Sequence, residues 1–412
     1  MKNKINKEAL DYHSNLPAGK IKIAPTKKYR SQKDLALAYS PGVAVPCLAI
    51  TQYPQKAYDF TGKGNLVAVV SNGTAVLGIG NIGELASKPV MEGKGLLFKV
   101  FAGVDVFDIE ISEKEPENFI NVIKAISLSF GGINLEDIKA PEAFEIERRL
   151  KKELKIPIMH DDQHGTAIIS GAALINSLEL VEKQIEKIKV VVNGAGAAAI
   201  SCARFYKKLG VRTDNILMFD RKGIICIKRN DLAKEKKEFA VKNHINLEEA
   251  LKGADVFIGL SIADILSTGM LLTMADNPII FSLANPNPEI RYEIAIKARS
   301  DAIVASGRSD FPNQVNNVLG FPYIFRGALD VQAISINEEM KLAAVFAIAR
   351  LAKEKSFGKE SIIPHPFDND LITHVAPAIA KAAIKSGVAR KKITDWTAYE
   401  EYLFDIKVDK TL

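Results

Sequence analysis

The second half of the chain alternates short apolar runs with longer amphipathic stretches. The apolar runs are rich in β-branched residues, which is typical of strands buried on both faces. Amphipathic stretches such as "AAISCARFYKKLG", which ends at Gly210, have the spacing of helices. This alternation predicts a parallel sheet with helices on both sides. The predicted strands are "KVVVNG", "NILMFD", "DVFIGL", "PIIFSLAN" and "AIVASG".

The first 160 residues have a less regular pattern. "LVAVVSNGTAVLGIG" predicts two strands joined at an Asn72-Gly73 turn, a hairpin signal. "GKGLLFKVFAGVDVFDIEI" predicts further strand, "PENFINVIKAISLSF" predicts a helix with Pro116 near its start, and "INEEMKLAAVFAIARLAKE" begins a helical tail. The expected fold is α/β: a small N-terminal α/β domain (1–160), a Rossmann-like, doubly wound parallel-sheet domain (161–385) and a C-terminal tail (386–412).

Composition and charge are those of an ordinary soluble protein. Hydrophobic residues make up 47% and charged residues 25% of the 412 residues, and the net charge is +6. The lysines are scattered along helical faces without interleaved aromatic residues, which argues against nucleic-acid binding. Three separated cysteines favour a reducing compartment over a disulfide framework. No stretch has the pattern of a signal peptide or a membrane span, so we expect a cytoplasmic protein.

Two glycine-rich stretches compete as the site of a bound dinucleotide. Gly78-Ile-Gly80-Asn-Ile-Gly83 matches the G-x-G-x-x-G motif at all three glycines. The strand before it, however, belongs to the predicted hairpin and not to a βαβ unit. Pro89, Gly93 and Gly95 also predict that any helix after it is short and broken. We therefore expect only a turn or packing role for this first motif.

The second stretch, "KVVVNGAGAAAISC", has the strand, turn and helix that a dinucleotide site needs. Ala199 can take the third glycine position because that position requires only a small side chain. Asp220, at the end of the next strand, could accept hydrogen bonds from a ribose diol, which favours NAD. Arg221 and Lys222 could instead bind the 2′-phosphate of NADP. The predicted cofactor is therefore NAD or NADP. The predicted cofactor-binding residues here are Gly194, Ala195, Gly196, Ala197, Ala198 and Asp220.

Acidic pairs and one lysine are the candidates for chemistry in the first half. Glu136 and Asp137 are adjacent, and Asp161 and Asp162 lie between an apolar strand and a helix entered through Gly165-Thr166. Adjacent carboxylates are costly without a cation, and oxygen ligands suit Mg²⁺ or Mn²⁺. Lys94 stands between two glycines in an apolar neighbourhood.

The two histidines of "HDDQH" raise the alternative of a zinc site. His160 and His164 could share an ion only on one continuous helix, and the preceding "IPIMH" is strand-like, with Gly165 following. We therefore favour packing or supporting roles for both.

Several of these stretches closely resemble the bacterial malic enzymes. They are "LALAYSPGVAVPCL", "VMEGKGLLFK", "GGINLEDIKAP", "HDDQHGTA", "SLANPNPEI" and "RSDFPNQVNNVLGFPYIFRGALD". The resemblance runs from about residue 10 to about residue 400. It implies an N-terminal substrate and metal domain, a dinucleotide-binding domain, and oxidative decarboxylation of L-malate to pyruvate and CO₂ with reduction of NAD(P)⁺. It also suggests a homodimer.

The same resemblance assigns roles to individual residues. Lys94 matches the general base, Asp161 its orienting partner, and Tyr39 the general acid that protonates enolpyruvate. Glu136, Asp137 and Asp162 match the ligands of the metal ion. Amide side chains match the groups that bind malate and nicotinamide: Asn285 and Asn317 for the substrate and Asn287 for the cofactor, with Lys94 also contacting substrate.

Departures from the family pattern leave some points open. Ala75 stands where larger animal relatives have an arginine, so no arginine clamp for the substrate carboxylate is predicted. Some bacterial members continue into a phosphotransacetylase-like domain and usually use NADP, and this chain ends near where that domain would begin. Two alternatives remain: a hydroxy-acid or amino-acid dehydrogenase that releases no CO₂, and a catalytically silent nucleotide-binding regulator.

Overall fold

The computed structural model describes residues 2–76 and 78–408. Within these ranges the strands are β1 (Leu66–Ser71), β2 (Asp105–Glu110), β3 (Gly132–Leu135), β4 (Ile158–His160), β5 (Val190–Asn193), β6 (Ile216–Asp220), β7 (Gly223–Ile224), β8 (Val256–Gly259), β9 (Ile279–Ser282) and β10 (Ile303–Ser306). The helices are α1 (Lys2–Ser14), α2 (Gln32–Ala38), α3 (Ala44–Gln52), α4 (Ala57–Phe60), α5 (Glu84–Ala102), α6 (Pro116–Ile126), α7 (Glu142–Glu153), α8 (Asp161–Leu180), α9 (Ala197–Leu209), α10 (Lys234–Lys237), α11 (Leu247–Leu251), α12 (Thr268–Leu272), α13 (Tyr292–Ala298), α14 (Phe321–Asp330), α15 (Glu338–Lys355), α16 (Leu371–Lys385) and α17 (Trp396–Val408).

The strands form two sheets. The first has the order β2-β1-β3-β4 and is parallel throughout. The second has the order β10-β9-β8-β5-β6-β7 and is parallel except for β7, a short antiparallel edge strand. Strand order reverses beside β5, which is the doubly wound, Rossmann-like arrangement. The predicted α/β fold is confirmed, as are the five strands predicted for the second half.

One hydrophobic core joins the two sheets. Val67 of β1 faces it from the first sheet and Val190 of β5 from the second, and α8, α9 and α14 to α16 pack between them. The opposite faces are covered separately, by α6 and α7 on the first sheet and by α11 to α13 on the second. Burial on both faces explains why these strands read as continuous apolar runs. The helical C-terminal region is also confirmed, with α17 contributing Tyr399 and Leu403 to the shared core.

The predicted hairpin at Asn72-Gly73 is wrong. β1 ends at Ser71 and is bonded in parallel to β2 on one side and β3 on the other, so it has no free edge for an antiparallel partner. Gly73 has a φ of +62°, and a Cβ on it would lie 2.1 Å from the carbonyl oxygen of Gly83. The glycine therefore serves a loop that folds back on the start of α5, and it does not close a two-residue turn.

The prediction of a short, broken helix after Gly83 is also wrong. α5 runs for 19 residues through Pro89 and contains the Gly93-Lys94-Gly95 stretch that was expected to be strand. A Cβ on Gly95 would lie 2.5 Å from Cδ1 of Ile21, so this glycine permits a close approach. Glycine costs about 1 kcal/mol in a helix interior. Burial of one face of α5 outweighs that cost.

In the N-terminal segment, residues 6–60, no side chain is fully buried and none belongs to these three cores. Its exposed large apolar side chains include Leu10, Tyr12, Leu16, Ile23, Tyr29, Leu37, Tyr39, Val45, Leu48, Tyr53 and Phe60. A segment with so many exposed apolar groups is typical of a surface that another protein covers. Among the described residues, none of the helices combines the length and apolarity needed to span a bilayer.

Candidate active site

The carboxyl ends of β3 and β4 bring the two acidic pairs together. Glu136 and Asp137 directly follow β3, and Asp161 and Asp162 form the first turn of α8, directly after β4. Parallel sheets bind ligands at this edge. Asp137 has a φ of +54°, a strained conformation that often marks functional sites, and its N–H donates to Oδ2 of Asp162 at 2.8 Å.

The donor set at this edge fits a divalent cation. One carboxylate oxygen from each of Glu136, Asp137 and Asp162 lies within 4.8 Å of the others. Burial and repulsion from neighbouring carboxylates raise the pKa of Glu136 to about 8 and that of Asp162 to about 7. Carboxylates held so close favour either protonation or a bound cation. Three oxygen donors suit Mg²⁺ or Mn²⁺, which would leave coordination positions for a substrate.

Lys94 projects from α5 to the same edge. Its Nζ lies 2.7 Å from Oδ2 of Asp161 and 2.9 Å from Oε1 of Glu136, and its side chain is only 11% exposed. The ring of Phe321 lies 4.3 Å from the same nitrogen. Burial alone would lower the pKa of Lys94, but ion pairs with Asp161 and Glu136 raise it above its usual value. In this arrangement Lys94 is a charged amine held by two carboxylates.

Asn317 connects this edge to the loop that follows β10. Its Nδ2 donates to Oδ2 of Asp161 at 3.1 Å, and its Oδ1 accepts from the hydroxyl of Thr166 at 3.2 Å. A Cβ on Gly165 would lie 2.6 Å from Cγ of Asn317, so the contact requires glycine at that position. The neighbouring Asn316 instead accepts from the N–H of Val318. Of this pair, only Asn317 reaches the carboxylate cluster.

Asn285 and Asn287 lie on the loop after β9. Asn285 is half-buried, and a Cβ on Gly78 would lie 3.5 Å from its carbonyl oxygen, so the first glycine motif packs against this loop. Asn287 is exposed, and its side chain makes no hydrogen bond among the described residues. Buried Glu289 accepts hydrogen bonds from the N–H groups of Ser261 and Ala284 and so fixes the loops after β8 and β9.

The second glycine stretch connects β5 to α9 as expected. A Cβ on Gly194, which has a φ of +135°, would lie 2.7 Å from the carbonyl oxygen of Leu260. Gly196 is the N-cap of α9 and faces open space, while Ala199 is buried in the core, which explains the small third residue. Ala195 and Gly196 line a cleft of about 860 Å³ that extends to Asp220. This geometry can hold a pyrophosphate at the N-terminus of α9, where Ala197 and Ala198 begin the helix.

Tyr39 makes no hydrogen bond with Lys94 in the described part of the chain. It follows α2 on the N-terminal segment and is 70% exposed. Its side chain makes no hydrogen bond or ring contact with any residue in 2–76 or 78–408.

His160 is fully buried, and the His164 side chain belongs to a network with Glu147 and Lys341. The helix begins at Asp161, not after Gly165 as predicted, so His160 precedes it and His164 lies inside it. Burial lowers the pKa of each imidazole to about 4, so both are neutral near pH 7. His164 contacts Glu147 at 2.9 Å and Lys341 at 3.2 Å. Neither histidine belongs to the ligand group found among the described residues.

Sequence reasoning missed several groups that support the site. Asn134, buried in β3, donates to Oε2 of Glu136 at 2.8 Å, and its place two residues earlier on the same face of the strand was the available signal. Phe321, which contacts Lys94, gave no signal because it is 227 positions distant in the sequence. Arg229 and Lys236, which bond Asp220, lie on an irregular loop and on the four-residue helix α10, and neither segment has a periodic pattern that points to Asp220.

The fold and the site define a class of protein. A Rossmann-like sheet with a dinucleotide-type glycine turn is joined to a second parallel sheet, and at the carboxyl end of that sheet a lysine from α5 contacts clustered carboxylates. Two family models match this chain: "Malic enzyme, N-terminal domain" over residues 18–117 and "Malic enzyme, NAD binding domain" over residues 163–386. The chain therefore belongs to the malic enzyme family.

Individual relatives agree with this assignment. The chain is 54% identical to an NADP-dependent malic enzyme of Haemophilus influenzae, over 98% of this chain and 56% of that protein. It is 55% identical to an NAD-dependent malic enzyme of Rhizobium meliloti, over 97% of this chain and 54% of that protein. The chain thus spans about half the length of these two relatives. The crystal structure of a malic enzyme from Pyrococcus horikoshii is similar with a TM-score of 0.93 at 44% identity, covering 98% of this chain and 96% of that one.

Proposed function

We propose that this chain catalyses the oxidative decarboxylation of L-malate to pyruvate and CO₂, with reduction of NAD⁺ or NADP⁺ and dependence on Mg²⁺ or Mn²⁺. One observation carries the proposal: the amine of Lys94 lies between Asp161 and Glu136, beside the three clustered carboxylates. A titratable amine next to a cation-binding group suits removal of a proton from the C2 hydroxyl of malate.

The protonation state of Lys94 is central to this mechanism. Bound Mg²⁺ or Mn²⁺ would supply Lewis-acid stabilisation of negative charge on the substrate oxygens and would neutralise Glu136 and Asp162. With Glu136 neutralised, Lys94 would lose one of the two carboxylates that raise its pKa. Burial would then favour the neutral amine, which can accept the hydroxyl proton as hydride leaves C2 for the nicotinamide. Asp161, itself held by Asn317, would keep the amine oriented.

The remaining residues would bind substrate and cofactor and complete the reaction. The amide side chains of Asn285 and Asn317 would bind malate, and Asn287 the carboxamide of the nicotinamide, without adding net charge. Gly194 and Gly196 would let the pyrophosphate approach α9. Breakage of the C3–C4 bond then releases CO₂ and leaves enolpyruvate, whose C3 would take a proton from Tyr39.

We also propose that the chain works as a homodimer. The N-terminal segment has no buried side chain and carries Tyr39 on an apolar surface. A second copy packed on that surface would remove it from water, which is favourable in proportion to the apolar area covered. It would also place Tyr39 among groups of its partner, where a phenol can donate a proton.

A coupled assay tests the proposed reaction. Purified protein is mixed with L-malate and Mn²⁺, reduced nicotinamide is followed by absorbance with NAD⁺ and NADP⁺ in parallel, and pyruvate is quantified. Reduction that EDTA stops, with pyruvate formed in equal amount, supports the proposal. Reduction with oxaloacetate as the product would indicate a dehydrogenase that does not decarboxylate, and no reduction with either coenzyme would contradict catalysis.

A further inference from the structure

The adenosine end of the cleft contains a compact group of charges around Asp220. In a dinucleotide site that prefers NAD, the acid at the end of the second strand accepts hydrogen bonds from the ribose 2′- and 3′-hydroxyls. Here both oxygens of that acid are already occupied. Oδ1 of Asp220 accepts from the N–H of Lys222 at 2.9 Å and from Arg229 at 2.8 Å. Oδ2 accepts from Arg229 at 3.0 Å and from Lys236 at 2.9 Å.

These four hydrogen bonds leave Asp220 little capacity for a ribose. A carboxylate offers about four lone-pair sites, and all of them have a protein donor here. The Asp220 side chain is only 10% exposed and that of Arg229 only 14%, so both ions are held inside the protein. Although burial opposes ionisation, hydrogen bonds from Arg229 and Lys236 lower the pKa of Asp220 to about 2. A ribose diol would have to displace charged donors to reach this acid.

The same region has a surplus of positive charge. Arg229 and Lys222 also pair with Asp231, so the ion pairs here join two carboxylates to three cations. Arg221 lines the cleft, is exposed, and has no side-chain partner within the described part of the chain. A planar guanidinium that is free to bond is well suited to a phosphate group. Lys222 and Lys236 line the same cleft and add two ammonium groups, each with further N–H donors.

We infer that this cleft selects a coenzyme with a 2′-phosphate on its adenosine ribose, NADP⁺, over NAD⁺, and that Arg221, Lys222 and Lys236 bind that phosphate. The inference rests on the proposed function for the identity of the dinucleotide but not on the oxidation of malate. Asp220 is a positioning residue in this site: it holds Arg229 and Lys236 at the ribose position and does not itself bind the ribose.

The test is a set of equilibrium binding measurements by calorimetry, without malate or metal. The two coenzymes are compared, and so are two fragments that differ only in the 2′-phosphate: adenosine 2′,5′-bisphosphate and 5′-AMP. We expect the bisphosphate to bind at least about tenfold more tightly than 5′-AMP, and NADP⁺ to exceed NAD⁺ similarly. The advantage of the bisphosphate should shrink as NaCl is raised, because exposed charges are screened.

Variants test which residues bind the 2′-phosphate. Arg221→Ala should weaken binding of the bisphosphate about tenfold while leaving 5′-AMP within about twofold. Arg212→Ala is the matched control, since Arg212 is also exposed and without a side-chain partner among the described residues but does not line the cleft. Lys236→Gln should also weaken binding of the bisphosphate more than binding of 5′-AMP.

Each outcome has a defined meaning. The inference is overturned if 5′-AMP binds as tightly as the bisphosphate, if neither fragment binds, or if Arg221→Ala weakens both fragments equally. Selective binding of NADP⁺ without any oxidation of malate would contradict the proposed function alone. Oxidation of malate with an equal preference for both coenzymes would contradict this inference alone.

Discussion

The amine of Lys94 lies 2.7 Å from Oδ2 of Asp161, although 67 positions separate the two residues in the sequence. The contact joins the long helix α5 to the first turn of α8, and α8 leads directly into the second sheet. Lys94 is thereby held beside the carboxylates that follow β3 and β4.

Replacement of Lys94 tests its assignment as the base. Lys94→Ala should reduce turnover of malate by about a thousandfold, because proton transfer by a positioned group contributes on that order. Coenzyme affinity, measured by calorimetry, should stay within about twofold of wild type, since Lys94 does not line the nucleotide cleft. Lys99→Ala, an exposed lysine on the same helix, serves as the control. Wild-type turnover by the Lys94 variant would contradict the assignment.

The carboxylate cluster predicts tight binding of a divalent ion. Asp162→Asn should weaken Mn²⁺ binding by about tenfold or more, measured from the signal of free Mn²⁺ in electron paramagnetic resonance, because one charged ligand becomes neutral. Asp214→Asn changes an exposed aspartate beyond the cluster and should leave binding unchanged. In wild type, saturating Mn²⁺ at about 100 times its Kd should stabilise the fold by about 2.7 kcal/mol, and EDTA should reverse the rise in melting temperature. Equal Mn²⁺ affinity in both variants would place the ion elsewhere.

Much of this fold and site could be predicted from local sequence, and the failures have physical causes. The strands around Gly194 are buried on both faces, so they are rich in apolar, β-branched residues and can be recognised in the sequence. The acids at the ends of β3 and β4 could also be recognised, because adjacent carboxylates repel each other unless a cation neutralises them. α5 was missed because Pro89 and Gly95 disfavour a helix locally, whereas the helix forms through packing with distant residues such as Ile21 and Val106.

The charges around Asp220 could not be predicted for a related reason. Arg229 lies 9 positions after the acid on an irregular loop, and Lys236 lies 16 positions after it in the four-residue helix α10. Only the folded loop brings them back to the end of β6. The acid that favours NAD in the sequence is therefore an ion-paired acid in the structure.

Gly165 offers a steric test of the contact between Asp161 and Asn317. Gly165→Ala should lower kcat/KM by about a hundredfold, because the new methyl group would lie 2.4 Å from Oδ1 of Asp161 and 2.6 Å from Cγ of Asn317 and would disrupt the contact between these two side chains. Gly269→Ala is the matched control, since the nearest atom to a Cβ there is Oγ of Ser267 at 3.7 Å. Circular dichroism checks that both variants fold. Unchanged kcat/KM in the Gly165 variant would contradict the assignment of Asn317 to the active site.

Arg326 and Arg350 form the same type of helical ion pair in different surroundings. Arg326 is 3% exposed, pairs with Asp330 and donates to Oδ1 of Asn65 at 2.6 Å. Arg326→Met should lower the free energy of unfolding by about 3 kcal/mol, because the carboxylate of Asp330, only 11% exposed, loses its counter-ion. Arg350 pairs with Glu354 in solvent, and Arg350→Met should cost at most about 0.5 kcal/mol. Urea denaturation measures the free energy of unfolding of both variants. Equal decreases in the two variants would contradict the prediction that the buried ion pair contributes more.

The exposed N-terminal segment predicts that the chain associates through it. Leu48→Glu introduces a charge on this apolar surface, where Leu48 is 70% exposed. We expect sedimentation velocity to show a shift from dimer toward monomer, because a carboxylate in an apolar interface is strongly unfavourable. Leu128→Glu changes a leucine outside the segment that is even more exposed, at 84%, and should leave the oligomeric state unchanged. Wild-type protein that sediments as a monomer would contradict the dimer.

Mixing two inactive variants tests whether Tyr39 acts in the partner's site. Tyr39→Phe removes the proposed acid and Lys94→Ala the proposed base, so each homodimer should be inactive. If the acid and the base of one site come from different subunits, a mixed dimer contains one site with both groups intact and one with neither. Random mixing should then restore roughly a quarter of wild-type activity. If both groups come from the same subunit, every site lacks one of them and mixing restores nothing, which would require Tyr39 to reach Lys94 within its own chain.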